Sequence, residues 1–156
     1  MTNWIRLAAP AALVSTIASP AYAVQYLSVA QAQKQAFPSA TSFAPLDGRA
    51  WKAQSGGTVL GLFVVDHVIG KHLYIDYSVA LDPGGRIKRV DILQYRESYG
   101  GEVREASWLA QFIGKSGASA LKVDQDIRNI SGATLSSHHV TEGVKRIVGA
   151  YGNRAR

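Results

Sequence analysis

The stretch from Thr58 to Tyr95 constrains the fold more than any other part of the chain. Thr58-Val-Leu-Gly-Leu-Phe-Val-Val65 is a short run of aliphatic, β-branched and aromatic residues, which suits a buried strand. From His72 to Leu81 the pattern alternates. Leu73, Ile75, Tyr77, Val79 and Leu81 fall on one side, and His72, Tyr74, Asp76 and Ser78 on the other. Asp82-Pro-Gly-Gly85 then reads as a turn, because proline presets φ and glycine accepts left-handed backbone. Ile87 to Tyr95 reads as the returning strand of a hairpin.

Helical signals flank this centre. Ser28 is placed to cap a short helix running to about Gln35, and Phe37-Pro38 stops it. Residues 39–57 read as a loop or weak strand, and Arg96 to Glu105 as a polar, glycine-containing loop. Ser107 to Ile113 fits a short helix ended by Gly114, and 115–130 is irregular. From Thr134 onward, Val140, Val144, Ile147, Val148 and Tyr151 recur at helical spacing. The expected class is α+β: an antiparallel sheet with a central hairpin, helices packed on it, and a C-terminal amphipathic helix. The chain shows no repeat and no low-complexity segment. Its 156 residues suit one domain, and 47% apolar against 18% charged residues excludes a disordered tail.

The basic residues, 17 Lys+Arg against 11 Asp+Glu, are scattered, and no stripe of them argues for nucleic acid. The absence of cysteine removes disulfides, thiolate metal sites and cysteine-linked cofactors or lipids. Residues 1–23 have the layout of a secretory signal peptide. Arg6 precedes an apolar middle from Leu7 to Ala18, and Ala21 and Ala23 are the small residues of a cleavage site. The division is therefore 1–23 signal peptide and 24–156 domain, with the mature chain in the periplasm or otherwise exported.

Ser131-Gly-Ala-Thr-Leu-Ser-Ser137 carries the most chemical information. Small residues lie where a loop meets a helix start, where free N–H groups and the positive end of the helix dipole converge. Such a place accepts a phosphate, and Gly132 and Ala133 allow close approach to the backbone. On the residues alone, plain helix capping by Ser131 or Thr134 is the better explanation, because Ser and Thr caps are very common.

The segment Ser131-Gly-Ala-Thr134, followed by Leu135-Ser-Ser137 and a helix, resembles the flavinylation motif of the FMN-binding domain family, the NqrC/RnfG-like covalent flavoprotein domains. Leu93 to Val103 is similar to the family's glutamate- and glycine-containing loop. Trp108, Phe112, Gly114 and Lys115 match its W/F…F-x-G-K pattern, and Tyr26 to Ser28 with Phe37-Pro38 are similar to its lead-in helix. Arg128 stands where members usually carry Asp. The resemblance implies FMN bound covalently, as a phosphoester on Thr134, with Ser131, Gly132, Ala133, Leu135 and Ser136 around the attachment. It implies an ApbE-type flavin transferase that makes the bond from FAD, and a membrane or periplasmic redox protein as electron donor or acceptor.

Beside the motif, Glu97, Ser98, Gly100 and Gly101 are candidates for lining the flavin, and one of Tyr95, Tyr99 and Trp108 for stacking on it. His67, His72, His138 and His139 have no metal-ligand spacing, and no catalytic residue stands out. Lys145 and Arg146 suit the negative end of the last helix. The expected function is an exported electron-transfer flavoprotein. The alternatives are a flavin-dependent reductase acting on a small acceptor, and a non-redox binding module that has lost the flavin. N-terminal sequencing of exported protein should give Val24 as the first residue; an intact Met1 in the membrane fraction would replace the signal peptide with an anchor.

Overall fold

The computed structural model describes residues 24–156; residues 1–23, where a signal peptide is expected, lie outside the described residues. Six antiparallel strands form one sheet in the order β1-β6-β5-β4-β3-β2. The strands are β1 Val24–Gln25, β2 Ser42–Asp47, β3 Ala50–Ser55, β4 Thr58–Ile69, β5 Tyr74–Leu81 and β6 Ile87–Tyr95. The helices are α1 Val29–Ala36, α2 Ala106–Leu109 and α3 Thr134–Tyr151. The class is α+β, as expected, and β5–β6 is the hairpin that Asp82 to Gly85 closes. The stretch read as a loop or weak strand is a full hairpin, β2–β3, and β4 continues four residues past Val65. A bulge between β3 and β4 at Ala53/Gln54 interrupts the alternation that would have marked β3 in the sequence.

Both faces of the sheet are covered. α1 starts with a capping box: Ser28 Oγ accepts the Gln31 N–H at 3.2 Å, and Gln31 Oε1 accepts the Ser28 N–H at 2.8 Å. Ala32, Ala36 and Phe37 then cover Ala53, Phe63, Ala80 and Leu93. On the opposite face α3 lays Val140, Val144, Ile147 and Val148 over Val64, Ile75, Tyr77, Val79 and Leu81. Ile75, Tyr77, Val79 and Leu81 share a face, as their alternation requires. Ser78 on the other face is nonetheless buried, flanked in the sheet by Val65 and Asp91, and Leu73 lies in the β4–β5 turn, 45% exposed.

The far end of α3 is pinned by charge. Asp66 is buried between Arg49, 3.1 Å away, and Arg146, 2.9 Å away. Burial opposes its ionisation, but the Arg146 guanidinium and other donors outweigh this and hold its carboxyl below the usual range. Arg146 is thus an ion-pair partner and not a complement to the helix dipole, and Lys145 donates to the Ala120 carbonyl at 2.9 Å.

Two helical glycines separate packing from propensity. A Cβ at Gly143 would stand 2.3 Å from the Tyr77 hydroxyl oxygen and 2.8 Å from Val68 Cγ1, whereas one at Gly149 meets nothing within 4 Å. Gly143→Ala is expected to destabilise by about 1–3 kcal/mol through overpacking. Gly149→Ala is expected to stabilise by up to about 1 kcal/mol through helix propensity. Urea unfolding of the two variants checks both signs.

Candidate functional site

The loop before α3 is held from within. Asp126 accepts the N–H groups of Leu121, at 3.1 Å, and Lys122, at 2.8 Å, and pairs with Lys115 at 3.7 Å. This fixes a segment in which Leu121 and Asp124 both have positive φ. The chain then turns: the Ala133 N–H donates to the Ile130 carbonyl at 3.0 Å, and Gly132 takes φ +83°. Glycine adopts that left-handed backbone without steric cost.

The start of α3 tests the capping reading of the motif. Its N-cap is Ala133, which has no side-chain oxygen to offer. Neither Ser131 nor Thr134 caps the helix. The Ser137 N–H is satisfied by the Ala133 carbonyl at 2.9 Å, but the N–H groups of Thr134, Leu135 and Ser136 find no acceptor among the described residues. Three donors and the positive helix end therefore face outward. Thr134 is exposed beside them, and the Asn129 side-chain amide approaches its Oγ at 3.5 Å. Ser137 is buried, and its hydroxyl donates back to Ala133 at 3.0 Å; Ser136 is also buried, 3.4 Å from the Tyr95 hydroxyl.

These groups line a cleft of about 280 Å³ made by three segments. One is Gly132 through Ser136. The second is Tyr99 and Gly100, from the loop after β6. The third is Lys71, from the β4–β5 turn, which no sequence pattern singled out. Gly100 has φ +82°, and a Cβ there would stand 2.9 Å from both Ser136 Oγ and the Tyr95 hydroxyl oxygen, so the loop lies directly on the helix start. Tyr95 donates to the Tyr99 carbonyl; burial, the larger effect, raises its phenol, so it stays a neutral donor. Of the three aromatic candidates, Tyr99 faces the cleft and is 86% exposed. Tyr95 is a buried brace. Trp108 is buried with its ring edge against Phe112, and its Nε1–H donates to the Arg128 carbonyl at 2.7 Å.

The remaining expected contacts do not line this cleft. Ser131 opens onto a neighbouring groove with Trp108 and Arg128. Ser98 is exposed, and Gly101 begins a 3₁₀ turn, Gly101–Arg104. Glu97 turns away: its Oε1 accepts the N–H of Leu73 at 2.7 Å and that of His72. A larger groove of about 450 Å³ lies between the end of β4 and α3, with His67, Tyr74 and Glu142 in its wall. It does not include the start of α3 or the three N–H groups there that have no acceptor among the described residues.

The fold and this cleft define an α+β domain with an exposed hydroxyl beside three main-chain donors at a helix start. A model of the FMN-binding domain family matches residues 70–149, and the chain belongs to that family. The match takes in the Lys71 turn, the Tyr99–Gly100 loop and the start of α3. No curated protein matches the chain. Among solved structures, the crystal structure of Shewanella oneidensis NqrC is similar in fold, with a TM-score of 0.55, 18% identity, and coverage of 74% of this chain and 70% of that one. The cleft fits FMN at its phosphate end: unpaired donors, a cation and a reachable hydroxyl are all present.

Burial opposes ionisation of Glu97, but the N–H groups of Leu73, His72 and Lys71 outweigh it and hold its carboxyl below the ordinary glutamate value. The clamp is therefore intact above that value, about 4.3, and is lost as pH falls through the lower folded pKa. Protection factors at His72 and Leu73 should be high at neutral pH and should fall selectively in acid, once pH drops below the ordinary glutamate value of about 4.3, with those of Ile75 to Leu81 unaffected. Equal protection of the turn at both pH values would exclude the clamp.

Proposed function

We propose that this protein is an exported electron carrier that holds FMN covalently through a phosphoester on Thr134. The observation that carries the reading is the exposed Thr134 hydroxyl beside three main-chain N–H groups with no acceptor of their own. In attachment, the Thr134 oxygen forms the new bond to the flavin-side phosphorus of FAD. The pyrophosphate P–O bond breaks, AMP leaves, and the hydroxyl proton passes to the transferase, which is of the ApbE type. The N–H groups of Thr134, Leu135 and Ser136 then hold the phosphate oxygens. FMN supplies one- and two-electron redox chemistry when bound.

The cleft is open to solvent, with the 86% exposed Tyr99 on its wall, which suits a carrier that presents its cofactor to a partner. It grips the phosphate end and leaves the ring near the surface, within reach of a membrane or periplasmic redox protein. Covalent attachment suits an exported protein, since a cofactor that dissociates outside the cytoplasm is lost.

Thr134→Ala should abolish covalent FMN, and Ser136→Ala and Ser137→Ala should retain it; both serines are buried and point inward. Thr134→Ser should keep part of it. The fold should survive Thr134→Ala, because its hydroxyl caps nothing and receives only the 3.5 Å approach of Asn129. Intact mass after co-expression with a flavin transferase reads the result as the addition of FMN less one water. Full loading of the Thr134→Ala protein would move the attachment elsewhere.

A further inference from the structure

The β4–β5 turn forms the wall of the cleft that bears its cation. Lys71 is exposed and lines the same cleft as Thr134, and none of the ion pairs among the described residues uses it. Its backbone is held from both sides. The Gly70 N–H donates to the Leu73 carbonyl at 2.8 Å, closing the turn. Glu97, from the loop that also carries Tyr99 and Gly100, accepts the N–H groups of His72 and Leu73. Gly70 sits against this carboxylate so closely that a Cβ would stand 2.9 Å from Glu97 Cγ and Oε1. From α3, His139 Nδ1 lies 2.6 Å from the Ile69 carbonyl oxygen and 2.9 Å from that of Gly70. With two carbonyls facing it, this nitrogen carries the hydrogen.

We infer that Lys71 is the cation that meets the phosphate at Thr134, and that Glu97 is the positioning residue that holds Lys71 there. The inference rests on the phosphate-site reading of the cleft. A helix end supplies about half a positive charge, whereas a phosphodiester carries a full negative one, and an ammonium on the facing wall makes up the difference. A glutamate beside the phosphate would repel it. Glu97 avoids this because its charge is spent on the N–H groups of the turn, and it faces those groups rather than the cleft. The carboxylate thus assists anion binding from behind the cation, through two hydrogen bonds to the backbone that presents it.

The test uses the protein purified without a flavin transferase, titrated with free FMN and with riboflavin, which lacks the phosphate. The amide resonances of Thr134, Leu135 and Ser136 report binding. FMN is expected to shift them and riboflavin to leave them nearly unmoved. Lys71→Gln should weaken FMN binding about tenfold, as for loss of one charge-assisted contact, with Lys71→Arg restoring it to within about twofold. Glu97→Ala should weaken FMN as Lys71→Gln does, and the double variant should be no weaker than either single one, because the two act through one contact. An unchanged β5 amide spectrum separates this from unfolding. Wild-type shifts that are the same for FMN and riboflavin, Lys71→Gln binding equal to wild type, or losses that add in the double variant would each overturn the inference. Because the titration needs no covalent bond, it gives the same answer whether or not Thr134 is the attachment point; intact mass decides that separately.

Discussion

Three main-chain N–H groups at the start of α3 have no acceptor among the described residues, and the rest of the site is arranged around them. A serine or aspartate at the cap position would have satisfied one of them and turned the helix start into an ordinary capped end. Ala133 stands there instead. The preceding turn, with Gly132 left-handed, brings the chain in without covering the donors. The first turn of α3 therefore offers hydrogen bonds and positive potential outward, next to one reachable hydroxyl.

Such a helix end is useful only if it is held still. The hydrophobic stripe from Val140 to Val148 seats α3 on the sheet, and the Arg49–Asp66–Arg146 bridge pins its C-terminal half to β4 and to the turn that enters β3. Closer to the site, Tyr95 ties the β6 loop to the helix start, and His139 ties the helix to the end of β4. The three segments that wall the cleft are thus braced against one another and against the core. Membership of the FMN-binding domain family is consistent with this division, since the family match spans all three walls.

Much of this was legible in the sequence because it depends on local rules. The Asp82-Pro-Gly-Gly85 turn and the alternation around it placed β5 and β6, and the Ser28 cap with the Phe37-Pro38 stop placed α1. The apolar spacing placed α3 at Thr134. The β2–β3 hairpin was harder to read, because its strands mix polar and small residues and carry bulges in pairing with each other and with β4. Its existence is decided by pairing with β4 and not by its own pattern. Glu97 was legible as a residue of a functional loop but not in its direction. A carboxylate in a glycine-rich loop looks like a ligand contact until the turn it clamps is seen.

By itself the sequence determined α1, the β5–β6 hairpin, α3 and the α+β class, because capping, alternation and helical spacing act within a few residues, and the resemblance of its S-G-A-T segment to a family motif made Thr134 a candidate. Only the tertiary structure decided which neighbours that threonine has. Lys71 lies far from it in the chain and reaches the cleft because β4 and β5 turn there. Trp108 goes to the core because Phe112 and the Arg128 carbonyl receive it, and Tyr99 is left facing out. Contacts between distant segments depend on how the sheet and helices pack, and nothing local in the residues themselves encodes that arrangement.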